Sequence, residues 1–164
     1  MLFEEGLSEF LRGCECLVLA GIGNGLRKDD AVGVMVIKRM KGKVPTGVRL
    51  VDCGSVPENF SLEIKRAGPS HIIFFDAVGM GMAPGSYAMI NEGSLMSQSM
   101  STHKQSVKVL FMVLREGLPG VRIALVGIQP KIVDFGTDLS RPVGRALNSV
   151  VEETARAIGS GFKK

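Results

Sequence analysis

"CLVLAGIGNGLRKDDAVGVMVIKRMK", residues 16–41, decides how this chain is to be read. Residues 16–22 form an apolar run bounded by glycine, which fits a strand covered on both faces. A glycine-rich turn follows. Residues 30–41 then space apolar side chains as a helix does and end in Lys38, Arg39 and Lys41, where the negative end of a helix dipole favours cations. Strand, tight turn and helix make one β-α unit. Units of this kind build parallel sheets covered by helices.

The rest of the chain repeats the alternation. Residues 48–53, 71–78 (HIIFFDAV) and 121–128 read as strands, and residues 84–90 add another after a Gly/Met-rich turn. Residues 57–66, 104–116 and 141–158 read as helices. Residues 2–12 form a short amphipathic helix, with Leu2, Phe3, Leu7, Phe10 and Leu11 on one side. Residues 91–103 are polar and read as a loop containing at most a helical turn. This order predicts an α/β fold of three layers: a twisted, mainly parallel sheet of about five strands with helices on both faces. No repeat or linker interrupts it, so residues 1–164 read as a single domain.

Composition excludes several functions. With 45% hydrophobic and 22% charged residues the chain folds rather than staying disordered. One Tyr and no Trp leave little to stack on bases, and the basic residues are scattered, so no nucleic-acid partner is expected. Three cysteines, Cys14, Cys16 and Cys53, make an odd count that suits a reducing compartment. The N-terminus lacks a basic leader, and no apolar run is long enough to span a bilayer. A cytoplasmic protein without membrane insertion is expected.

Ligands of open α/β sheets bind beyond the carboxyl ends of the strands. The segments 24–30 and 52–59, Asp76 and Gln129 all fall at such ends. A nucleotide is one candidate. However, the turn has Gly21 and Gly23 but Leu26 where a dinucleotide fingerprint needs its third glycine, and Asp29 and Asp30 would repel phosphate. Those acids also suit a helix N-cap and first turn. One cap needs one acid, which leaves the other for the crevice. Asp76 ends a strand that reads as buried, so its carboxylate must be paired, hydrogen-bonded to loop amides, or bound to a cation. His103 precedes a helix and, taken alone, is a surface residue beside a cap formed by Ser101 or Thr102. His71 starts its strand and lies on the opposite rim. Cys14 and Cys16 lack the second pair that zinc requires, and no local signature supports Cys53 as a nucleophile.

Five segments together carry a resemblance: GIGNGLRKDDAVG (21–33), VDCGSVPEN (51–59), IIFFDAVGMGMAPG (72–85), STH (101–103) and GIQPKIVDFG (127–136). In this order they resemble the [NiFe]-hydrogenase maturation endopeptidases, in particular the group serving hydrogenase-3-like, formate-hydrogenlyase-type enzymes. The resemblance implies removal of a short C-terminal extension from the nickel-loaded precursor of the hydrogenase large subunit. It implies that nickel supplied by the substrate is held by Asp30, Asp76 and His103, and that no organic cofactor takes part. Asp52, Gly54 and Ser55 match the loop thought to meet the substrate, and Gln129 lies on the same rim. Asp stands at 30 where the family has Glu or Asp. Cys53 stands where many members have Gly. Two other readings remain open: a nucleotide-binding Rossmann-like enzyme, and a module that binds the precursor without cutting it.

Overall fold

The computed structural model describes residues 2–90, 92–97 and 102–161. Five strands form one sheet: β1 (Leu17–Gly21), β2 (Arg49–Asp52), β3 (His71–Ala77), β4 (Tyr87–Ile90) and β5 (Arg122–Ile128). Their order is β2-β1-β3-β5-β4. The first four of these run parallel, and β4 closes one edge antiparallel to β5. The expected three-layer α/β architecture is therefore present.

The middle position of β3 follows from its sequence. His71 to Phe75 are all buried. Ile73 and Phe75 join Leu17 and Leu19 on one face, where α1 (Phe3–Phe10), α2 (Val32–Met40) and α6 (Arg141–Gly161) cover them. Ile72 and Phe74 join Val18 and Ala20 on the other, beneath α3 (Ser61–Arg66), α4 (Glu92–Ser97) and α5 (Thr102–Gly117). Each such side chain contributes about 1.5–3 kcal/mol on burial, so only a strand with two covered faces accommodates the whole run. Among the described residues, no helix is long and apolar enough to cross a membrane.

Three segments differ from the expected elements, each for a local reason. The helix expected over residues 30–41 begins as a 3-10 turn, Lys28–Ala31, and only then becomes α2. The Lys28 and Asp29 amides donate outward, to the carbonyls of Gly136 and Ile132, so this turn is fastened to a distant loop. The helix expected over 57–66 likewise opens with a 3-10 turn, Pro57–Phe60, before α3. The expected loop 91–103 contains α4 and the start of α5. Among the described side chains of α4, Leu95 joins the core, and the Glu92–Arg115 ion pair ties this helix to α5. A helix of six residues is too short to leave a periodic signal. Residues 91 and 98–101, including the candidate cap Ser101, lie outside the described residues.

Candidate functional site

The loops after β1, β2, β3 and β5 meet over the carboxyl ends of the strands and enclose a cleft of about 180 Å³. Asp30 and Asp76 both line it, together with Ser55 and the backbone at Gly23 and Gly79. Asp30 arrives from the 3-10 turn, and its Oδ2 accepts the Asn24 amide at 3.0 Å. Asp76 stands near the end of β3 opposite Gly127 of β5, where the central strand delivers it to the rim. Two carboxylates 46 positions apart in the chain thus share one crevice.

His103 belongs to the first turn of α5, and its side chain lies outside the described residues. The course of α5 is nonetheless informative. It ends at Gly117, just before β5 starts at Arg122, and Arg122 is in register with His71 at the start of β3. Its sixteen residues span about 24 Å. The seven of β5 span about 23 Å. The helix therefore runs back over the full height of the sheet to the rim that carries Asp76. A contact agrees: Ser106 Oγ, one turn beyond His103, donates to Glu58 Oε1 at 3.4 Å, and Glu58 belongs to the rim turn after β2. The second Glu58 oxygen, Oε2, is buried without a hydrogen-bond partner among the described residues. Among the described residues no three His, Cys, Asp or Glu side chains gather as a metal-binding group.

The glycine-rich turn does not offer a phosphate cradle. Most of its amides are already used: Gly23 donates to Gly54, Asn24 to Asp30, Leu26 to Asn24 Oδ1, and Arg27 to the Asn24 carbonyl. Lys28, Asp29 and Asp30 donate to Gly136, Ile132 and Arg27. The glycines serve close packing instead. A Cβ on Gly33 would collide with the carbonyls of Ile22 and Phe75, and one on Gly23 with the carbonyl of Asp30. Absence of side chains there lets α2 and its 3-10 turn sit against the strand ends.

Asp29 is not a helix cap, contrary to the expectation from its position. It is fully buried, and neither the 3-10 turn nor α2 has a side-chain cap. Its carboxylate accepts the amides of Lys131 and Ile132 at 2.9 Å, the Ser140 amide at 2.7 Å and the Ser140 hydroxyl at 2.8 Å. Burial pushes this carboxyl up, but the bonds from Ile132, Ser140 and Lys131 outweigh it and hold Asp29 below the usual aspartate value. The residue fastens the 130–140 loop to the wall of the cleft. The one hint in the sequence is the doubled acid, because a cap needs only one.

The remaining expected residues divide. Ser55 lines the cleft. Gly54, at φ +54°, shapes the turn beside it, and its amide bonds Asp52 Oδ1 at 3.0 Å, so Asp52 closes a local turn. Gln129 Oε1 accepts the Met80 amide at 2.6 Å, bracing the loop after β3. Cys53 is 1% exposed, and burial, with the Asp52 and Glu63 charges, pushes its thiol up to about 12. Burial and the raised thiol count against a thiolate nucleophile near neutral pH. If the cleft performs the cleavage that the resemblance implies, Cys53→Ala is expected to retain it within about twofold, and alkylating reagents to leave it intact. Activity loss on alkylation that disappears in Cys53→Ala would restore the thiol. His71, buried on the opposite rim, bonds Ser70 and packs edge-on against Phe10.

Residues 34–157 match the sequence profile of the HycI family, described as hydrogenase maturation protease. A protein of Methanocaldococcus jannaschii is 34% identical over 140 residues, which cover 80% of this chain and 82% of its own. The hydrogenase 3 maturation protease of Escherichia coli K12 is 28% identical over 145 residues, covering 88% of this chain and 92% of that one. The crystal structure of a [NiFe] hydrogenase maturation protease HycI from Thermococcus kodakarensis superimposes with a TM-score of 0.86 at 28% identity, over 94% of this chain and 99% of that one. Sequence and fold agree along most of the chain, and the chain belongs to the hydrogenase maturation proteases, a family of hydrolases.

Proposed function

We propose that this protein is an endopeptidase, acting as one domain, that cuts a short C-terminal extension from the nickel-loaded precursor of a [NiFe]-hydrogenase large subunit. The substrate's nickel is held by Asp30, Asp76 and His103. The observation that carries the reading is the meeting of Asp30 and Asp76 in one rim cleft, on a sheet whose α5 runs back to that rim. Two carboxylates and an imidazole supply three protein ligands of mixed O and N type, which leaves coordination positions for the substrate. His103 must be neutral to ligate. Water adds to the scissile carbonyl carbon, the C–N bond breaks, and the leaving amine takes up a proton. In this reading Asp52, Gly54 and Ser55 meet the chain flanking that bond, supported by Ser55 lining the cleft, and Gln129, which bonds the Met80 amide, lies on the same rim. Nickel arrives with the substrate, and no organic cofactor is assigned. The three cysteines, all free thiols, suit a reaction in the cytoplasm.

The nucleotide-binding alternative is weakened because seven of the eight amides of residues 23–30 already donate within the protein. The non-catalytic alternative differs only in outcome, so the deciding experiment is a cleavage assay. Nickel-loaded precursor, incubated with the enzyme, is expected to lose the mass of its C-terminal extension, while nickel-free precursor stays intact. Equal processing of the two forms would remove the metal from recognition. Retention of full mass by both would leave a binding module.

A further inference from the structure

Exposed apolar side chains are unevenly distributed. Leu26 follows β1, Val56 follows β2, Met82 follows β3, and Val133 and Phe135 follow β5, so these five crown the carboxyl-end rim. Single exposed apolar residues need no explanation, but a group drawn from four separate loops to one rim does. Their positions are fixed relative to the cleft. Val133 lines it, Val56 stands between Ser55 and Pro57, which also line it, and Met82 follows the cleft residue Gly79. Leu26 and Phe135 adjoin each other, because the Gly136 amide bonds the Leu26 carbonyl at 2.8 Å.

We infer that this apolar collar is the docking surface for the folded body of the precursor large subunit, a partner presenting an apolar pocket beside its C-terminal segment. The inference rests on the cleft being the proteolytic site. Three observations choose the occupant. The cleft, at about 180 Å³, is smaller than the sites of about 300–1,000 Å³ that bind drug-sized ligands. It holds little of a polypeptide, so most contact with a protein substrate must lie outside it. Phe135 is 81% exposed and stands out as a knob. One extended peptide strand cannot enclose such a knob, whereas a pocket on a folded surface can. Finally, the part of the collar that bears Val133 and Phe135 is fastened at several points. Asp29 bonds both ends of the loop bearing Phe135, and Arg27 Nε holds the Val133 carbonyl at 3.1 Å. An anchor held in place before binding loses little entropy on docking. Exposed Arg27, Lys131 and Asp134 stand beside the apolar members as a polar margin.

The test measures association of the nickel-loaded precursor, labelled with a fluorophore, by stopped-flow anisotropy before cleavage sets in. Phe135→Ser and Leu26→Ser are expected to weaken Kd at least tenfold each with unchanged melting temperatures. Met112→Gln, at an exposed apolar site on α5, is expected to bind as wild type does. Cleavage is followed separately, with KM rising and kcat within twofold of wild type. Wild-type affinity in Phe135→Ser and Leu26→Ser, or no association by the wild type, overturns the collar. Collar-dependent binding without cleavage supports the surface and counts against the assigned chemistry.

Discussion

Asp29→Ala is expected to destabilise the protein by about 3–5 kcal/mol, far beyond the 1 kcal/mol or so that loss of a helix cap costs. The carboxylate satisfies three backbone amides and a hydroxyl at a fully buried position. Its removal leaves these donors unpaired, at about 1–3 kcal/mol for each that water cannot reach. Lys28, one residue earlier, sits at φ +45°, a left-handed conformation that side chains avoid. The Asp29 network over-determines the turn and so tolerates that strain. Because Pro130 and Val133 line the cleft, the folded fraction of the variant should also cleave poorly. The pH dependence has a definite sign. Asp29 is held below the usual value when folded, so the charge-linked part of its contribution is complete above the unfolded pKa of about 3.9 and is lost as pH falls through the lower folded value. Denaturant titrations of wild type and Asp29→Ala should differ most at pH 7, and the difference should shrink as pH falls below about 4. A difference of about 1 kcal/mol at pH 7, with cleavage intact, would return Asp29 to the role of a cap.

That residue marks where the sequence stops being sufficient. The sheet was legible because each strand writes its environment locally: five buried residues in a row at 71–75 can only be central, and strand-turn-helix at 16–41 can only be one β-α unit. Asp29 and Asp30 are adjacent acids in one turn, and their local chemistry is the same. What separates them is a loop 100 residues away that bonds one and leaves the other at the cleft. The rim position of Cys53 was readable, but its burial was not, since packing from α3 and α5 decides it. Asp76 was readable for the opposite reason: a carboxylate at the end of a fully apolar strand must answer to something. Glu58, recognisable in sequence only as part of the PEN segment, owes its place to α5, which packs over that turn.

Asp30→Ala, Asp76→Ala and His103→Ala are each expected to reduce cleavage of nickel-loaded precursor by at least about a thousandfold, and paired substitutions to cost little more than single ones. Residues acting on one ion are non-additive because the ion is lost from the site with the first of them. Stability should follow a different pattern. Asp30→Ala frees the Asn24 amide at a partly buried position, a cost of about 1 kcal/mol. The α2 helix remains seated through the buried Val32 and Val36, so the variant stays folded. Asp76→Asn keeps the shape at the end of β3 and removes only the charge, which separates ligation from packing. Thermal melts alongside mass measurement of the precursor distinguish the two losses. Three well-folded, inactive single variants with no further loss in the doubles would establish one shared site. A folded, fully active Asp30→Ala would take the glycine-rich turn out of the chemistry and leave its acids only the architectural task that Asp29 performs. Independent, multiplying losses would divide Asp76 and His103 between separate roles, because groups that bind different partners add in free energy.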